Sequence, residues 1–392
     1  MKLHIVFVTE TFAPEINGVA MTVGHLVDGL RQNGHRVSLV RPAQGKDDVA
    51  GPDECIVGGL PLPGYPGLRF GLPAQRRLRQ SWRELRPDVV HVVTEGPLGW
   101  SAVNAARRLK IPVTSGFHTN FDRYSAHYGL GWLRPAVAAY LRMLHRRTLA
   151  TMVPTEALAA ELAGEGIAGV RVVGRGVDTE LFDPARRNAG LRRSWAVPER
   201  GLACLYVGRM APEKNLALVE QAFAAIRARC PEARMIWVGD GPSRGGLEKA
   251  HPMHHFAGLR TGSDLAEHYA SADLFLFPSL TETYGNVVAE AMASGLPVLA
   301  YRSAAAAELI GGGNAGLTVT PGDESAYVAA ALDLLDAPEQ LDEMGQRARQ
   351  AMLSRSWSNV VASFERVVYD ALDQNSAWKR SDPMLAGPRS AL

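Results

Sequence analysis

The feature that most constrains the fold is a unit in which two apolar segments enclose a helical one. The apolar segments Leu274–Phe277 and Pro297–Ala300 are short and uncharged, which predicts buried strands. Residues 286–294 between them are good helix formers, with Asn286 as the expected N-cap and Gly295 just past the end. A strand–loop–helix–strand unit is typical of a parallel sheet, and such units bind ligands at the carboxyl ends of their strands.

Two glutamates in this unit are candidates for ligand binding. Glu290 lies in an almost wholly apolar helix, where a carboxylate is costly unless something hydrogen-bonds it. The vicinal diol of a ribose would supply two donors. Glu282 lies in the preceding loop, toward which the free N–H groups and the positive dipole end of the helix point. The alternative is that Glu290 is a satisfied core carboxylate and Glu282 a solvated loop residue.

Apolar strands and periodic helices alternate along the rest of the chain, which predicts an α/β protein with doubly wound, mostly parallel sheets. The first series covers residues 1–180, and a second covers 201–355. A polar, broken stretch at 181–200 predicts a linker between them. A last helix is expected at 356–375 and a disordered tail at 376–392. The 392 residues, 46% of them hydrophobic and 21% charged, are ample for the cores of two globular domains.

Two cations follow the first strand of the second series. Arg209 and Lys214 stand in Gly-Arg-Met-Ala-Pro-Glu-Lys-Asn, directly after the apolar residues 202–207. Arginine presents a fork and lysine a point charge to phosphate oxygens, as a leaving nucleoside diphosphate requires. A metal ion is the usual substitute, but the chain has no Asp-x-Asp motif and no His-Glu-x-x-His motif. We therefore expect chemistry without metal or cofactor; the alternative is that both side chains are solvated loop charges.

The first half of the chain offers weaker signals. Asn17 and Gly18 precede a helix, whose N-terminal N–H groups could receive a phosphate, or they form a plain strand–helix turn. The loop lacks the G-x-G-x-x-G spacing of a dinucleotide site. His118 follows an apolar strand at 112–116, although a lone histidine is often structural.

These motifs together resemble a known family. Glu282 and Glu290, separated by seven residues and followed by Ala-Met-Ala-Ser-Gly-Leu-Pro-Val, resemble the donor-site signature of the retaining glycosyltransferases of family 4. Residues 208–215 match the family's Gly-Arg-x-x-x-x-Lys-Asn pattern. The resemblance covers the chain to about residue 375. It implies the GT-B fold, in which two Rossmann-like domains face a cleft, the first binding the acceptor and the second the nucleotide sugar, with the terminal helix crossing back to the first.

The resemblance also implies roles for individual residues. The first Glu and the following amides hold the sugar hydroxyls, the second Glu holds the ribose, and the two cations hold the diphosphate. The expected donor-binding residues are Gly18, Arg209, Lys214, Glu282, Tyr284, Gly285, Asn286 and Glu290. The family more often has Phe at the position of Tyr284. The expected catalytic residues are His118, Arg209, Lys214 and Glu282. The expected acceptor-binding residues are Asn17, Glu95, Asn120 and Tyr124.

Within the family, two segments narrow the expectation. Glu10-Thr-Phe-x-Pro-x-Ile-Asn-Gly-Val and Gly116-Phe-His-Thr-Asn-Phe are similar to bacterial GDP-mannose-dependent α-mannosyltransferases and to sulfoquinovosyl-diacylglycerol synthases. The resemblance implies a retaining, metal-independent transferase that moves a hexose, with mannose from GDP-mannose preferred, to a hydroxyl acceptor such as a glycolipid. The residues leave the base open among GDP, UDP and ADP. A GT-B sugar-nucleotide epimerase and a non-catalytic nucleotide-binding module are the alternatives.

Charge and cysteine usage suggest the cellular setting. Three widely spaced cysteines without a metal or disulfide pattern suit a reducing cytoplasm, and no run of eighteen apolar residues occurs. A net charge of +2 does not suggest nucleic-acid binding. Residues 69–86 and 123–155 are nonetheless rich in arginine, and a helix in the second segment also carries an apolar set. Peripheral contact with an anionic membrane is therefore expected. The alternative is a solvated basic face whose apolar side is core.

Overall fold

The computed structural model shows two compact units. Among the described residues, the first unit contains 1–174 and the helix that starts at Trp357, and the second contains 175–356. The structure describes residues 1–381 with the exception of Pro14, Ile16, 46–47, 62–68, 119–133, Arg200, Thr281, Thr283 and 312–313.

The first unit is built on a parallel sheet. Its strands are β1 (His4–Val8), β2 (Arg36–Pro42), β3 (Glu54–Val57), β4 (Gly59–Pro61), β5 (Arg69–Gly71), β6 (Val89–Val92), β7 (Val113–Gly116), β8 (Ala150–Val153) and β9 (Val170–Val172). Seven of them pair in the order β3-β2-β1-β6-β7-β8-β9, all parallel, while β4 and β5 form an antiparallel hairpin. The central strands are buried on both faces, which explains their continuous apolar sequence.

Helices cover both faces of this sheet. They are α1 (Gly18–Gln32), α2 (Gln75–Leu85), α3 (Pro97–Arg108), α4 (Arg134–His145), α5 (Glu156–Gly164) and, from the end of the chain, α14 (Trp357–Ser381). α1 and α14 share one cluster, in which Phe364 stacks on Phe7 with ring centroids 5.5 Å apart. α2 and α3 pack in a second cluster with β1 and β6. The terminal helix was expected to end near residue 375, but it continues to Ser381 because no helix breaker interrupts residues 374–381.

The second unit repeats the plan. Its strands are β10 (Ala203–Val207), β11 (Arg234–Val238), β12 (His255–Gly258), β13 (Leu274–Phe277), β14 (Val298–Tyr301) and β15 (Leu317–Val319). Its helices are α6 (Ala189–Ser194), α7 (Leu216–Arg229), α8 (Arg244–Ala250), α9 (Gly262–Ser271), α10 (Asn286–Ala293), α11 (Ala304–Leu309), α12 (Glu324–Asp333) and α13 (Pro338–Met352). The sheet order is β12-β11-β10-β13-β14-β15, all parallel, around one core cluster. The predicted fold class, two doubly wound parallel-sheet domains, is confirmed.

The stretch 181–200 is folded, although its polar, broken sequence predicted a linker. It contains a 3₁₀ turn (Pro184–Arg186) and α6, and it belongs to the second unit. Arg187 and Arg192 each bond the carboxylate of Asp273, at 2.6 and 2.8 Å. Trp195 is buried in the core at 3% exposure. The arginines therefore fasten the stretch to the sheet, a use of polar residues that composition alone does not reveal.

The apolar side of α4 is part of the core. Leu141 and Leu144 are buried, and Tyr140 and Val137 pack against the same clusters. This agrees with the alternative stated for the arginine-rich segment 123–155, in which the apolar side of its helix is core. Among the residues described, no helix is both long and apolar enough to cross a bilayer.

Candidate active site

The strand order of the second unit marks a place where ligands bind. β10 and β13 are neighbours, and the chain leaves them toward opposite edges of the sheet. A crevice opens at the carboxyl ends of two such strands because the loops that follow them separate. The loop after β10 carries Arg209 and Lys214, and the loop after β13 carries Glu282. The residues predicted for the diphosphate and the sugar therefore border one crevice.

The loop after β10 is held in place by the loop after β11. The Met210 N–H donates to the Asp240 oxygen at 2.9 Å. Gly239 has a φ of +130°, and a Cβ at this position would lie 2.0 Å from the Gly208 oxygen. Only glycine allows the two backbones to come this close. The placement of Arg209 thus depends on the glycines of the neighbouring loop.

Each of the two predicted phosphate-binding cations lies beside a carboxylate. Nη1 of Arg209 is 3.8 Å from Oε1 of Glu213, whose side chain is 1% exposed. Nζ of Lys214 donates to Oε1 of Glu282. The Arg209 side chain is one-third exposed, whereas that of Lys214 is mostly covered. The acids orient the cations at the crevice, where a diphosphate would gain from both charges.

The loop after β13 prepares both a carboxylate and backbone donors. Ser279 is buried, and its Oγ donates to Oε1 of Glu282 at 2.8 Å. Helix α10 starts after Gly285, which has a φ of +90°. The prediction of Asn286 as the N-cap was wrong: the turn needs a positive φ, which glycine adopts without strain, and Asn286 is the first helical residue. Since no side chain among the described residues caps this end, the N–H groups of the first turn point into the loop.

Glu290 is a buried carboxylate with one protein partner. It is 7% exposed, and the Tyr269 hydroxyl donates to its Oε2 at 2.9 Å. Burial raises the pKa of Glu290 to about 7, and the hydrogen bond from Tyr269 partly opposes this rise. The described residues supply no hydrogen bond to Oε1. A carboxylate that has a protein partner on just one of its two oxygens suits the predicted contact with a ribose diol.

Tyr284 points away from the crevice into the core. It is 5% exposed and belongs to the core cluster of the second unit. Burial raises the pKa of Tyr284 to about 12, with a further contribution from Glu308, while Arg355 and Arg175 act in the opposite direction. The backbone oxygen of Tyr284 accepts the N–H of Ala305 at 2.8 Å. The buried ring and this backbone hydrogen bond fix the loop, and Tyr284 can offer a sugar its backbone N–H.

The residues predicted in the first unit lie at the carboxyl ends of adjacent strands. Asn17 caps α1: its Oδ1 accepts from the N–H groups of Val19 and Ala20, at 3.1 and 2.9 Å. Gly18 is the first residue of that helix. His118 follows β7 at 9% exposure and packs over Gly116, where a Cβ would come 2.3 Å from its Nε2. The glycine thus makes room for the imidazole.

Glu95 follows β6 and is 3% exposed. Its Oε1 lies 3.6 Å from Nε2 of His145, and the described residues give neither of its oxygens a hydrogen bond. The Tyr140 hydroxyl donates to the Glu95 backbone oxygen at 2.5 Å. Helix α4 therefore fixes this loop. The other two acceptor-side predictions, Asn120 and Tyr124, lie outside the described residues.

Two residues of the site were not predicted from the sequence. Tyr269 supports Glu290 from 21 positions earlier in the chain, a contact that no local pattern indicates. Ser279 supports Glu282 from three positions earlier. The pair has the spacing of a capping box, but both residues lie in the loop before α10 rather than in its first turn, so that pattern does not indicate this contact.

Two parallel-sheet units, with cations and carboxylates gathered at the switch point of the second, are the arrangement expected of a GT-B glycosyltransferase that uses a nucleotide-sugar donor. The profile of Glycosyltransferase Family 4 matches residues 16–181, and that of Glycosyl transferases group 1 matches residues 201–337. The chain belongs to family 4 of the glycosyltransferases.

Named relatives cover nearly the whole chain. A GDP-mannose-dependent alpha-mannosyltransferase of Mycobacterium tuberculosis is 34% identical over 91% of this chain and 93% of its own length. A sulfoquinovosyl transferase of Arabidopsis thaliana is 29% identical over 95% of this chain and 74% of its own length. An alpha-monoglucosyldiacylglycerol synthase of Streptococcus pneumoniae is 27% identical over 76% of this chain and 71% of its own length. The structure of sucrose-phosphate synthase from Thermosynechococcus elongatus superposes with a TM-score of 0.79 at 18% identity. The superposition covers 95% of this chain and all of that one, which supports the fold.

Proposed function

We propose that the protein is a retaining, metal-independent mannosyltransferase that transfers mannose from GDP-mannose to a hydroxyl of a glycolipid. The observation that carries the donor is the 34% identity to a GDP-mannose-dependent enzyme over nearly the full length of both chains. The residues at the crevice supply the chemistry: Glu290 for the ribose, Arg209 and Lys214 for the diphosphate, and Glu282 for the sugar.

The reaction follows from these roles. The bond between the sugar C1 and the diphosphate oxygen breaks, and the acceptor oxygen bonds to C1 on the same face, which retains the configuration. The acceptor proton passes to the departing phosphate. Because the transition state is oxocarbenium-like, it depends on a stabilised diphosphate more than on a strong side-chain base. Arg209 and Lys214 provide this stabilisation at the carboxyl end of β10, and His118 helps to orient donor and acceptor.

A lipid acceptor is the finer part of the proposal. It is supported by the similarity to a monoglucosyldiacylglycerol synthase, whose name contains a lipid. It is also supported by four arginines on or next to α2 that are exposed on the first unit: Arg76, Arg77, Arg83 and Arg86. We propose that the enzyme works in the cytoplasm, in peripheral contact with the inner face of an anionic membrane.

Two measurements test the proposal. A thermal-shift panel of GDP, UDP and ADP identifies the base, because a ligand at about 100 times its Kd adds roughly 2.7 kcal/mol of stability. GDP-mannose labelled in the sugar is then incubated with vesicles that contain diacylglycerol or a glycosylated diacylglycerol. We expect labelled lipid with the α configuration by NMR. Stabilisation by UDP or ADP but not by GDP would contradict GDP-mannose as the donor. Conversion of the nucleotide sugar in the absence of an acceptor would indicate an epimerase.

A further inference from the structure

The two hydrogen bonds to Glu282 meet on one oxygen. Nζ of Lys214 and Oγ of Ser279 both donate to Oε1. No described residue donates to Oε2. A carboxylate has about four acceptor positions, two on each oxygen, so this arrangement fixes the orientation of the group and keeps one oxygen available.

The two donors to Glu282 differ in charge and in their position relative to the proposed diphosphate site. Lys214 is charged, and phosphate oxygens at the proposed diphosphate site would compete with Glu282 for its ammonium group. Ser279 is neutral and 2% exposed, two residues after the end of β13. The loop is held beside it, because the Leu280 N–H donates to the backbone oxygen of Glu213 at 3.3 Å. Ser279 is therefore the fixed support of Glu282, and Lys214 the adjustable one.

We propose that Ser279 is a positioning residue for donor-sugar recognition: it holds Oε1 of Glu282 so that Oε2 accepts a hydroxyl of the donor sugar. This inference rests on the proposed function, since it concerns the same site. A support that consists of one neutral hydrogen bond leaves the charge on the carboxylate, which a sugar hydroxyl needs as its acceptor. Ser279 touches neither the nucleotide nor the sugar in this arrangement, and it acts through Glu282.

The proposal predicts a difference between two ligands that share a nucleotide. GDP reaches Glu290 and the cations, whereas GDP-mannose also reaches Glu282. Replacing Ser279 with alanine (S279A) should raise the ratio of the Kd for GDP-mannose to the Kd for GDP about tenfold, which is the scale of one hydrogen bond to a charged group. The Kd for GDP alone should stay within about twofold of wild type. Titration calorimetry measures both constants on the full chain.

Two further variants sharpen the test. Ser294 is a buried serine at the end of α10 whose hydroxyl has no hydrogen-bond partner among the described residues, so S294A is the matched control and should leave the ratio unchanged. In the background of Glu282→Ala, S279A should add no more than about a twofold change, because its effect passes through the missing carboxylate. Full additivity of the two substitutions would show that Ser279 does not act through Glu282.

The remaining outcomes separate this inference from the proposed function. An S279A variant whose ratio equals that of wild type, or which loses GDP and GDP-mannose equally, overturns the positioning role while the function stands. If wild type binds UDP or ADP in place of GDP, the mannosyl donor is wrong, and the same ratio is measured with UDP-glucose and UDP or with ADP-glucose and ADP. A wild-type protein that binds none of the three nucleotides overturns both.

Discussion

At the scale of single residues, the site depends on carboxylates that the protein satisfies only in part. Glu290 receives one hydrogen bond from Tyr269, and Glu282 receives two on the same oxygen. Leaving a buried acceptor without a donor costs about 1–3 kcal/mol. A ligand hydroxyl would remove that cost, and this is a physical reason for both residues to bind hydroxyl groups.

The first prediction concerns Glu290. Replacing it with alanine (E290A) should weaken binding of the nucleotide diphosphate by roughly 10- to 150-fold, since a hydrogen bond to a charged group is worth about 1.5–3 kcal/mol. Calorimetry with GDP measures the loss, and circular dichroism checks that the fold persists. The control is Glu343→Ala, which removes an exposed carboxylate of α13 paired with Arg347. Unchanged affinity in E290A would mean that the ribose role is wrong.

A second prediction follows from the pKa of Glu290, which burial raises from 4.5 to about 7. Between these values the folded protein holds the proton and the unfolded chain does not, so stability falls as the pH rises through this window. The total contribution is about 3 kcal/mol at 1.36 kcal/mol per pKa unit. Glu290→Gln cannot ionise and should therefore gain about 3 kcal/mol over wild type between pH 4 and pH 8. Urea denaturation without nucleotide measures this, and a difference between the two proteins that does not vary with pH would refute it.

What the sequence revealed about single residues depended on local pattern. Glu282 and Glu290 could be found because a carboxylate in an apolar helix and one in its N-terminal loop are anomalous in themselves. Tyr269 could not be found, because the hydrogen bond it donates joins separate helices. The side chain of Tyr284 was expected beside the sugar and lies in the core, a direction set by tertiary packing that the local sequence does not indicate.

At the scale of elements, two neighbouring strands carry the donor site. β10 ends in the cations and β13 ends in Glu282, and their adjacency follows from the sheet order. In the proposed function, Arg209 and Lys214 would neutralise the diphosphate in place of a divalent ion.

The third prediction is that transfer of the sugar continues in excess EDTA. Arg209 and Lys214 should provide the neutralisation that a metal would otherwise give. Initial rates with and without the chelator should agree within about twofold. As a companion measurement, Lys214→Ala should lower the rate whether or not EDTA is present. Complete loss of activity in EDTA, restored by a divalent ion, would show that a metal takes part.

The elements that sequence predicted well are those with a strong period. Strands buried on both faces have continuous apolar runs, and the apolar segments at 112–116, 202–207, 274–277 and 297–300 each contain or overlap an observed strand to within one residue. The hairpin of β4 and β5 was missed because each strand has three residues in a stretch rich in Gly and Pro. The folded stretch 181–200 was missed because its arginines bond to Asp273, a partner about 80 residues away.

At the scale of the whole molecule, charge is distributed unevenly over the two units. The first unit exposes four arginines on or next to α2, and they are accompanied by Leu72 and Leu85, which are 39% and 40% exposed. Leu78 and Trp82 on the opposite side of the same helix are buried. This surface, defined by Arg76, Arg77, Arg83 and Arg86, is called the basic face.

The first unit could bind a membrane in two ways. One is insertion of α4, which needs a free apolar side, but the apolar residues of α4 belong to the core. Attraction by charge needs only exposed cations, each of which contributes about 1 kcal/mol near an anionic surface. Four of them would give reversible binding that weakens with salt. The proposed membrane contact would therefore be electrostatic and involve α2, not an inserted α4.

The last prediction is that the protein sediments with vesicles of anionic lipid at low salt, is released as salt rises, and ignores zwitterionic vesicles. Reversing two charges in R76E/R77E should weaken the binding by about 2 kcal/mol or more, roughly 30-fold, because two attractions are lost and two repulsions added. R227E/R229E on α7 of the second unit makes the same change in net charge and serves as the control. Equal losses of vesicle binding in both variants would mean that net charge, rather than the basic face, determines the binding. A wild-type protein that stays in the supernatant with anionic vesicles at low salt has no membrane contact, and a soluble acceptor then becomes the better proposal.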